Sequence, residues 1–182
     1  MSTAALFIVV VFALVSLYFL ARVIVPEFRK YRGKRLITCP ESKATAAVEV
    51  DAVHAAVTSG LGQPVLQLKA CTRWPERRDC GQECLSQIAA APADCLVRTI
   101  ATRWYEGKSC ARCGNAFGEI HWHERQPALM SANLRTVQWT DVRPETLPDV
   151  LATHQPVCWN CHIVETFRME HPELAVERPW PR

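Results

Sequence analysis

Glycine is scarce in this sequence, and the common short catalytic motifs are missing. The chain has 7 glycines and 12 prolines among 182 residues, which excludes a collagen-like or low-complexity polypeptide. It contains no glycine-rich phosphate loop, no G-x-S-x-G, no H-E-x-x-H and no pair of acids suited to acid–base catalysis. No single cysteine is marked out as a nucleophile. We therefore expect a structural or interaction protein rather than an enzyme.

The part of the chain expected to fold into a domain has no surplus of positive charge. The whole chain carries a formal charge of +3, but residues 22–35 hold six basic side chains against one acid, Glu27. Residues 36–182 carry 15 basic and 17 acidic side chains, a balance of −2. Because a nucleic-acid-binding domain spreads basic residues over one face, we expect no nucleic-acid partner.

The first 21 residues contain no charged side chain. An apolar run continuing to Val25 would cross a hydrocarbon core of roughly 30 Å as a helix of about 22 residues. No basic residue precedes this run and no small-residue cleavage site ends it, so the pattern favours an uncleaved anchor over a signal peptide. We predict a transmembrane anchor over residues 1–25, ended by Pro26, and a basic juxtamembrane stalk over residues 26–35.

The six basic residues after the apolar run predict the orientation of this anchor. Positive charges concentrate on the cytoplasmic side of membrane helices, which predicts a single-pass protein of the cell membrane with a cytoplasmic C-terminal domain. Basic residues beside a lone anchor are also a weak signal, and the exported side is the alternative, above all if the domain binds haem. The expected partners are the membrane and other protein subunits of a membrane complex.

Hydrophobic periodicity after the anchor predicts an α+β fold in two subdomains. The first subdomain, residues 36–107, has alternating strand patterns up to Ala70. Helical spacing then predicts helices near Gln82–Ala90 and Pro92–Tyr105.

The second subdomain, residues 108–182, also mixes strands and helices. Alternating side chains predict strands at Phe117–His123 and Arg135–Thr140, with a turn near Ser131 between them. A short helix is predicted over Pro144–Leu151 and a last helix from Cys158 to about Glu170, followed by an extended proline-rich tail.

Two CxxC pairs separated by 44 residues supply four thiols, from Cys110, Cys113, Cys158 and Cys161. A two-residue spacer lets both sulfurs of a pair face one ion. Zinc suits four thiolates because it is borderline-soft and accepts tetrahedral sulfur ligands. Gly114 follows the first pair, where a tight turn is helped by a missing Cβ. We predict a zinc ion here, and the alternative is two unrelated pairs that stay reduced or form disulfides.

The order of predicted elements over residues 108–170 resembles the treble-clef class of zinc finger. A knuckle carries the first CxxC pair, a β-hairpin follows, and the second pair lies in the first turn of a helix. The segment Asp141–Val157, between hairpin and helix, is longer than in the simplest members. The resemblance implies a structural zinc site with four cysteine ligands and is to the class, without a named family.

The segment Cys158-Trp159-Asn160-Cys161-His162 also spells C-x-x-C-H, the attachment motif of c-type haem. In this alternative the two thiols bind the haem vinyl groups and His162 binds the iron. The candidates for the other axial ligand are Met130, Met169, His121 and His123. A membrane-tethered electron-transfer protein is therefore the alternative function, although Cys110 and Cys113 would then have no partner.

The other five cysteines lie in the first subdomain. Cys80 and Cys84 are about one helical turn apart at a predicted helix start, where backbone N–H groups favour thiolates. With Cys39 and Cys71 they would form a candidate second metal site, for zinc or an iron–sulfur cluster. The alternatives are disulfides in an exported domain or burial as small apolar side chains, for which Cys95 is the best candidate.

Overall fold

The chain divides into two compact units, residues 1–97 and 98–182, of which the computed structural model describes residues 3–77 and 79–174. Both units combine helices with a small antiparallel sheet, so the predicted mixture of helix and sheet is confirmed. The division falls at Val97, whereas we predicted it at Gly107. The predicted extended tail lies, from residue 175 on, outside the described residues.

The first unit begins with a continuous helical run from Thr3 to Tyr31. It consists of α1 (Thr3–Phe19), a π-helical turn (Leu20–Ile24) and α2 (Val25–Tyr31). By length and composition this run could cross a membrane, and no residue of α1 is buried. A signal sequence near an N-terminus has the same length and composition, so the helix is a candidate membrane span.

The helix does not end at Pro26, and this prediction was wrong. Proline removes a backbone donor and clashes with the carbonyl one turn earlier. Here a π-helical turn precedes it, in which the Val25 N–H donates to the Leu20 carbonyl. This wider turn lets Pro26 enter at the start of α2, a position where its missing N–H costs little. The segment 26–35, which we interpreted as a stalk, is consequently helix and strand.

A three-stranded antiparallel sheet forms the core of the first unit, in the order β1 (Lys34–Thr38), β2 (Thr45–Val50) and β3 (Leu68–Cys71). Two helices flank it, α3 (Ala52–Ser59) and α4 (Leu85–Ala90). Val48 and Val50 on β2 pack with Ile88 of α4. Of the strands predicted before Ala70, the one through Val48 and Val50 is present as β2, whereas residues 64–67 of the later one form no strand and β3 begins only at Leu68.

Both helices predicted after β3 begin later than expected. We predicted the first from Gln82, but this residue has a positive φ of 56°, which no residue of a right-handed helix adopts. The helix α4 therefore begins only at Leu85. The second was predicted from Pro92, but the chain first makes a turn, and α5 spans Val97–Tyr105.

Arg35 on β1 is completely buried. Its guanidinium donates to the backbone carbonyls of Tyr31 at 2.6 Å, Gly33 at 3.0 Å and Lys30. Two of these carbonyls belong to the last turn of α2, which carries the negative end of the helix dipole. Arg35 thus caps the long N-terminal helix from within the sheet. Of the six basic residues counted after the apolar run, this one does not face solvent.

The second unit contains a three-stranded sheet in the order β5-β4-β6. Its elements after α5 are β4 (Ala128–Met130), β5 (Thr136–Val137), α6 (Leu147–Thr153), β6 (Gln155–Val157) and α7 (Trp159–Glu170). The β4–β5 hairpin turns at Ser131, whose N–H donates to the Arg135 carbonyl at 2.9 Å. The turn, the short helix α6 and the last helix agree with the sequence-based predictions.

The strand predicted at Phe117–His123 is absent, because this segment is irregular up to His121 and enters a turn at Trp122. Its alternating pattern reflects side chains packed into an aromatic cluster without a partner strand. Phe117 contacts the Tyr105 ring at 4.8 Å, and the Trp122 Nε1–H donates to Thr102 Oγ1 at 2.9 Å. The strand predicted at Arg135–Thr140 shortens to β5 and gives way to a 3-10 turn from Trp139.

Tyr105 explains why α5 belongs to the second unit. Its side chain is fully buried, and its hydroxyl donates to the Ala128 carbonyl on β4 at 2.8 Å. The same hydroxyl accepts from Trp139 Nε1 at 3.2 Å. Because these bonds join α5 to the second sheet, the boundary lies at the first residue of this helix.

Replacing Arg35 tests its role as an internal helix cap. Arg35→Ala would leave the carbonyls of Lys30, Tyr31 and Gly33 without their donor, and we expect a loss of about 3 kcal/mol of unfolding free energy. Hydrogen exchange of β1–β3 in the full chain, purified in detergent, measures this loss. Arg32→Ala, at an exposed position of the same charge, is the control and should change little. Equal effects of the two variants would contradict the capping role.

Candidate metal centre

The thiols of Cys110, Cys113, Cys158 and Cys161 form one cluster, in which all four sulfurs lie within 4.8 Å of one another. All four cysteines are free. The Sγ atoms of Cys113 and Cys158 are 3.8 Å apart, far longer than a disulfide bond of about 2.05 Å. Four sulfurs at about 2.3 Å from a tetrahedral ion are separated by about 3.8 Å. The cluster is therefore able to hold a metal ion.

The first CxxC pair lies on a tight knuckle. The Cys110 N–H donates to the Asn115 carbonyl at 2.8 Å, and the Gly114 N–H donates to the Cys110 carbonyl at 2.9 Å. Gly114 has a φ of +74°, a conformation that glycine adopts without a Cβ penalty. A β-bridge between Ser109 and Ala116 closes the knuckle at its base. The turn therefore brings Cys110 and Cys113 to the same side.

The second CxxC pair lies at the junction of β6 and α7. Cys158 is the N-cap residue of α7, and Cys161 lies in its first turn. The Ala111 N–H donates to the Pro156 carbonyl on β6 at 2.8 Å, which fixes the knuckle beside the strand. The Cys158 N–H points at the Cys110 sulfur at 3.3 Å. Backbone donors aimed at sulfur favour thiolates, the form that binds metals.

The thiols of this cluster have pKa values displaced in opposite directions. Burial by itself raises the pKa of Cys110, but backbone N–H groups of Cys113, Cys158 and Arg112 outweigh it and hold the pKa at about 7. Burial, followed by hydrogen bonds with Cys158 and Cys113, raises the pKa of Cys161 far above its usual value. A cation that compensates their charge would therefore favour ionisation of all four thiols.

Arg112 and Glu165 form an ion pair that clamps the knuckle to α7, and sequence reasoning did not find it. Glu165 is 6% exposed. The Arg112 Nε–H donates to Glu165 Oε1 at 3.1 Å, and Arg168 approaches the same oxygen at 3.3 Å. Arg112 stands inside the first CxxC pair. Only the spacing of Glu165 one turn after Cys161 on the helix could have suggested the contact.

His162 is a buried structural residue in this arrangement. It is 3% exposed. The Gln138 side-chain amide donates to its Nε2 at 3.1 Å, and its Nδ1 lies 2.9 Å from Thr136 Oγ1. Burial lowers the pKa of the imidazole, so its neutral form is favoured. Both ring nitrogens are thus used to join β5 and the following turn to α7.

The residues considered as a second haem ligand do not converge on one position. Met130 is buried in the apolar cluster around Cys110, whereas Met169 is exposed. His121 and His123 lie in turns and are exposed, and His123 Nε2 is 3.4 Å from an Arg98 nitrogen. The strand that was predicted to carry both histidines is absent, so they do not project from one strand face.

The proximal cysteines are also brought together, but more loosely. The set Cys39, Cys71, Cys80 and Cys84 lines one cavity in the first unit. Across residues 3–77 and 79–174, however, only the distal four cysteines bring their sulfurs close enough together to hold a metal ion. Cys95 does not line this cavity. It lies beside Arg35, where burial raises the pKa of its thiol.

No protein-family model matches this chain, and no curated protein or solved structure matches it either.

Replacing Arg112 tests the clamp between knuckle and helix. Arg112→Ala would leave the buried Glu165 carboxylate with Arg168 as its remaining cation. We expect the unfolding free energy of the second unit to fall by about 2 kcal/mol. Denaturant unfolding, monitored by hydrogen exchange of α7, measures this loss of stability. Arg135→Ala, at an exposed position on the hairpin turn, should be nearly neutral. A neutral Arg112→Ala would show that the ion pair contributes nothing to stability.

Proposed function

We propose that this protein is a membrane-anchored zinc protein whose second unit is held together by zinc and docks other subunits of a membrane complex. The observation that carries the proposal is the cluster of four thiols within 4.8 Å of one another. Zinc bound there contributes folding energy directly, because its ligands come from the knuckle and from the helix α7. No catalytic set accompanies the cluster in the sequence, which favours a structural role.

Zinc is favoured over haem by the surroundings of the second CxxC pair. Haem attachment would require Cys158 and Cys161 to bond to haem carbons, and the pair of Cys110 and Cys113 would then lose its partners. His162 would also have to give up its bonds to Gln138 and Thr136. A single iron ion in four thiolates has similar geometry, and metal analysis separates the two.

The order of elements supports the treble-clef class. The knuckle carries the first pair, the β4–β5 hairpin follows, and the second pair lies at the start of α7. The helix α6 and the strand β6 form the insertion between hairpin and last helix. In this class the metal replaces a large apolar core, which fits a unit with few buried residues beside the cluster.

The N-terminal helix supports anchoring with the folded units on the cytoplasmic side. Its apolar side chains are exposed along α1, as lipid-facing residues would be. Basic residues after the apolar run remain exposed at the positions Arg22, Arg29, Lys30, Arg32 and Lys34, which favours the cytoplasmic side. A reducing cytoplasm would keep the thiols free to bind metal. Exposed Phe167 and Ile163 on α7 offer apolar area for a protein partner.

Removing two distal ligands tests the zinc site. The double variant Cys110→Ser/Cys158→Ser should lose one zinc ion per chain and the cooperative unfolding of the second unit, because each remaining pair binds metal weakly. Elemental analysis of the detergent-purified full chain measures the zinc. The matched control is Cys95→Ser, which should keep the wild-type metal content. Stoichiometric iron in the wild-type chain, with or without a haem absorption band, would refute the zinc assignment.

The orientation has its own test. A protease-cleavable tag placed after Arg182 should be protected in intact cells and cleaved after permeabilisation, because the folded units are expected in the cytoplasm. Alkaline carbonate washing of membranes should leave the chain in the pellet. Cleavage of the tag in intact cells would put the units on the exported side, and release by carbonate would refute the anchor.

A further inference from the structure

Four of the five proximal cysteines surround a single cavity of about 20 Å³ in the first unit. They come from separate parts of the chain, yet the antiparallel pairing brings them to one end of the sheet. Strands β1 and β3 both pair antiparallel with β2, so both finish at the end of the sheet where β2 begins. Cys39 follows β1 directly, and Cys71 is the last residue of β3.

The other two cysteines reach the cavity from the start of α4. Cys84 is the N-cap residue of this helix and is buried. Cys80 lies in the loop before it, where the Gln82 N–H donates to the Cys80 sulfur at 3.4 Å. The Gln82 side chain accepts from the Leu68 N–H at 2.9 Å. This bond fixes the loop against the beginning of β3.

We propose that Cys39, Cys71, Cys80 and Cys84 bind a second zinc ion. The cavity suits a single ion better than an iron–sulfur cluster, since about 10–15 Å³ on this measure accommodates one water-sized sphere. Arg73 and Arg77 line the same cavity together with Glu41 and Glu83, so the charged side chains around it balance one another and the four thiols are its metal-binding groups. This inference does not rest on the distal zinc site.

The segment between β3 and α4 explains why an ion would be needed here. Residues 72–84 contain no described helix or strand, and three of the four cysteines lie at or near its ends. Among the described residues, the distal four cysteines form a group compact enough to hold an ion, whereas these four sulfurs do not. Zinc binding is therefore expected to draw them together and order this loop, as ligands from distant parts of a chain do when a metal joins them.

The test is zinc stoichiometry of the full chain, purified in detergent under reducing conditions and equilibrated with Zn²⁺. We expect two zinc ions per wild-type chain and one in the double variant Cys39→Ser/Cys84→Ser. The distal double variant Cys110→Ser/Cys158→Ser should also keep one. Cys95→Ser, a half-buried thiol in the same unit but outside the cavity, is the matched control and should keep two.

This experiment can refute the distal and the proximal zinc site independently of each other. If the distal double variant binds no zinc, the proximal site is refuted while the distal one stands. If that variant keeps the single zinc ion of the wild-type chain, the distal zinc site fails and the proximal one stands. Iron with inorganic sulfide at the proximal cysteines, or a disulfide among them in the reduced cytoplasmic protein, would also refute the proposal.

A second measurement covers the case in which the proximal variant does not fold. Zn²⁺ should protect Cys39, Cys71 and Cys80 from alkylation in the wild-type chain, as mapped by mass spectrometry, and removal of zinc by a chelator should expose them. Repeating this in the distal double variant excludes an indirect effect of the distal ion. Equal alkylation with and without Zn²⁺ would overturn the inference.

Discussion

The second unit depends on four thiol groups that its fold holds within 4.8 Å of one another, because their thiolate forms repel one another at this distance. Backbone donors favour the thiolate of Cys110, whereas burial opposes ionisation of Cys161. A bound cation removes this conflict, because all four sulfurs can then be thiolates at once. The knuckle, β6 and the start of α7 all meet at this point, and Arg112 and Glu165 secure the same junction. A metal ion bound here would act where a larger domain has its core.

In the first unit, the main structural constraint is the connection between the end of the long apolar helix and the sheet that follows it. A π-helical turn carries the helix past Pro26, and Arg35 then satisfies the carbonyls at its end from inside the sheet. A buried guanidinium without a carboxylate partner is costly unless carbonyl groups surround it. The helix and the sheet are thus joined by polar bonds in the interior rather than by a flexible linker.

The sequence predicted the features that depend on local chemistry. The CxxC spacing, Gly114 and the helix after Cys158 predicted the distal cluster, because a knuckle and a helix start are short-range structures. The strand predicted at Phe117–His123 failed, because alternation also arises where aromatic side chains pack on turns. The clamp of Arg112 on Glu165 and the burial of Arg35 depend on which distant segments meet, and periodicity contains no information about such contacts. The haem motif at Cys158 shows the same limit, since the sequence gives no sign that both ring nitrogens of His162 contact Gln138 and Thr136.

The most direct test of the account is X-ray absorption spectroscopy of the metal bound to the full chain. It reports the identity of the metal together with the type, number and distance of its ligands. The account predicts zinc surrounded by four sulfur atoms at about 2.3 Å, with no nitrogen or oxygen ligand. Zinc bound by nitrogen or oxygen, or iron in the planar nitrogen environment of haem, would contradict it.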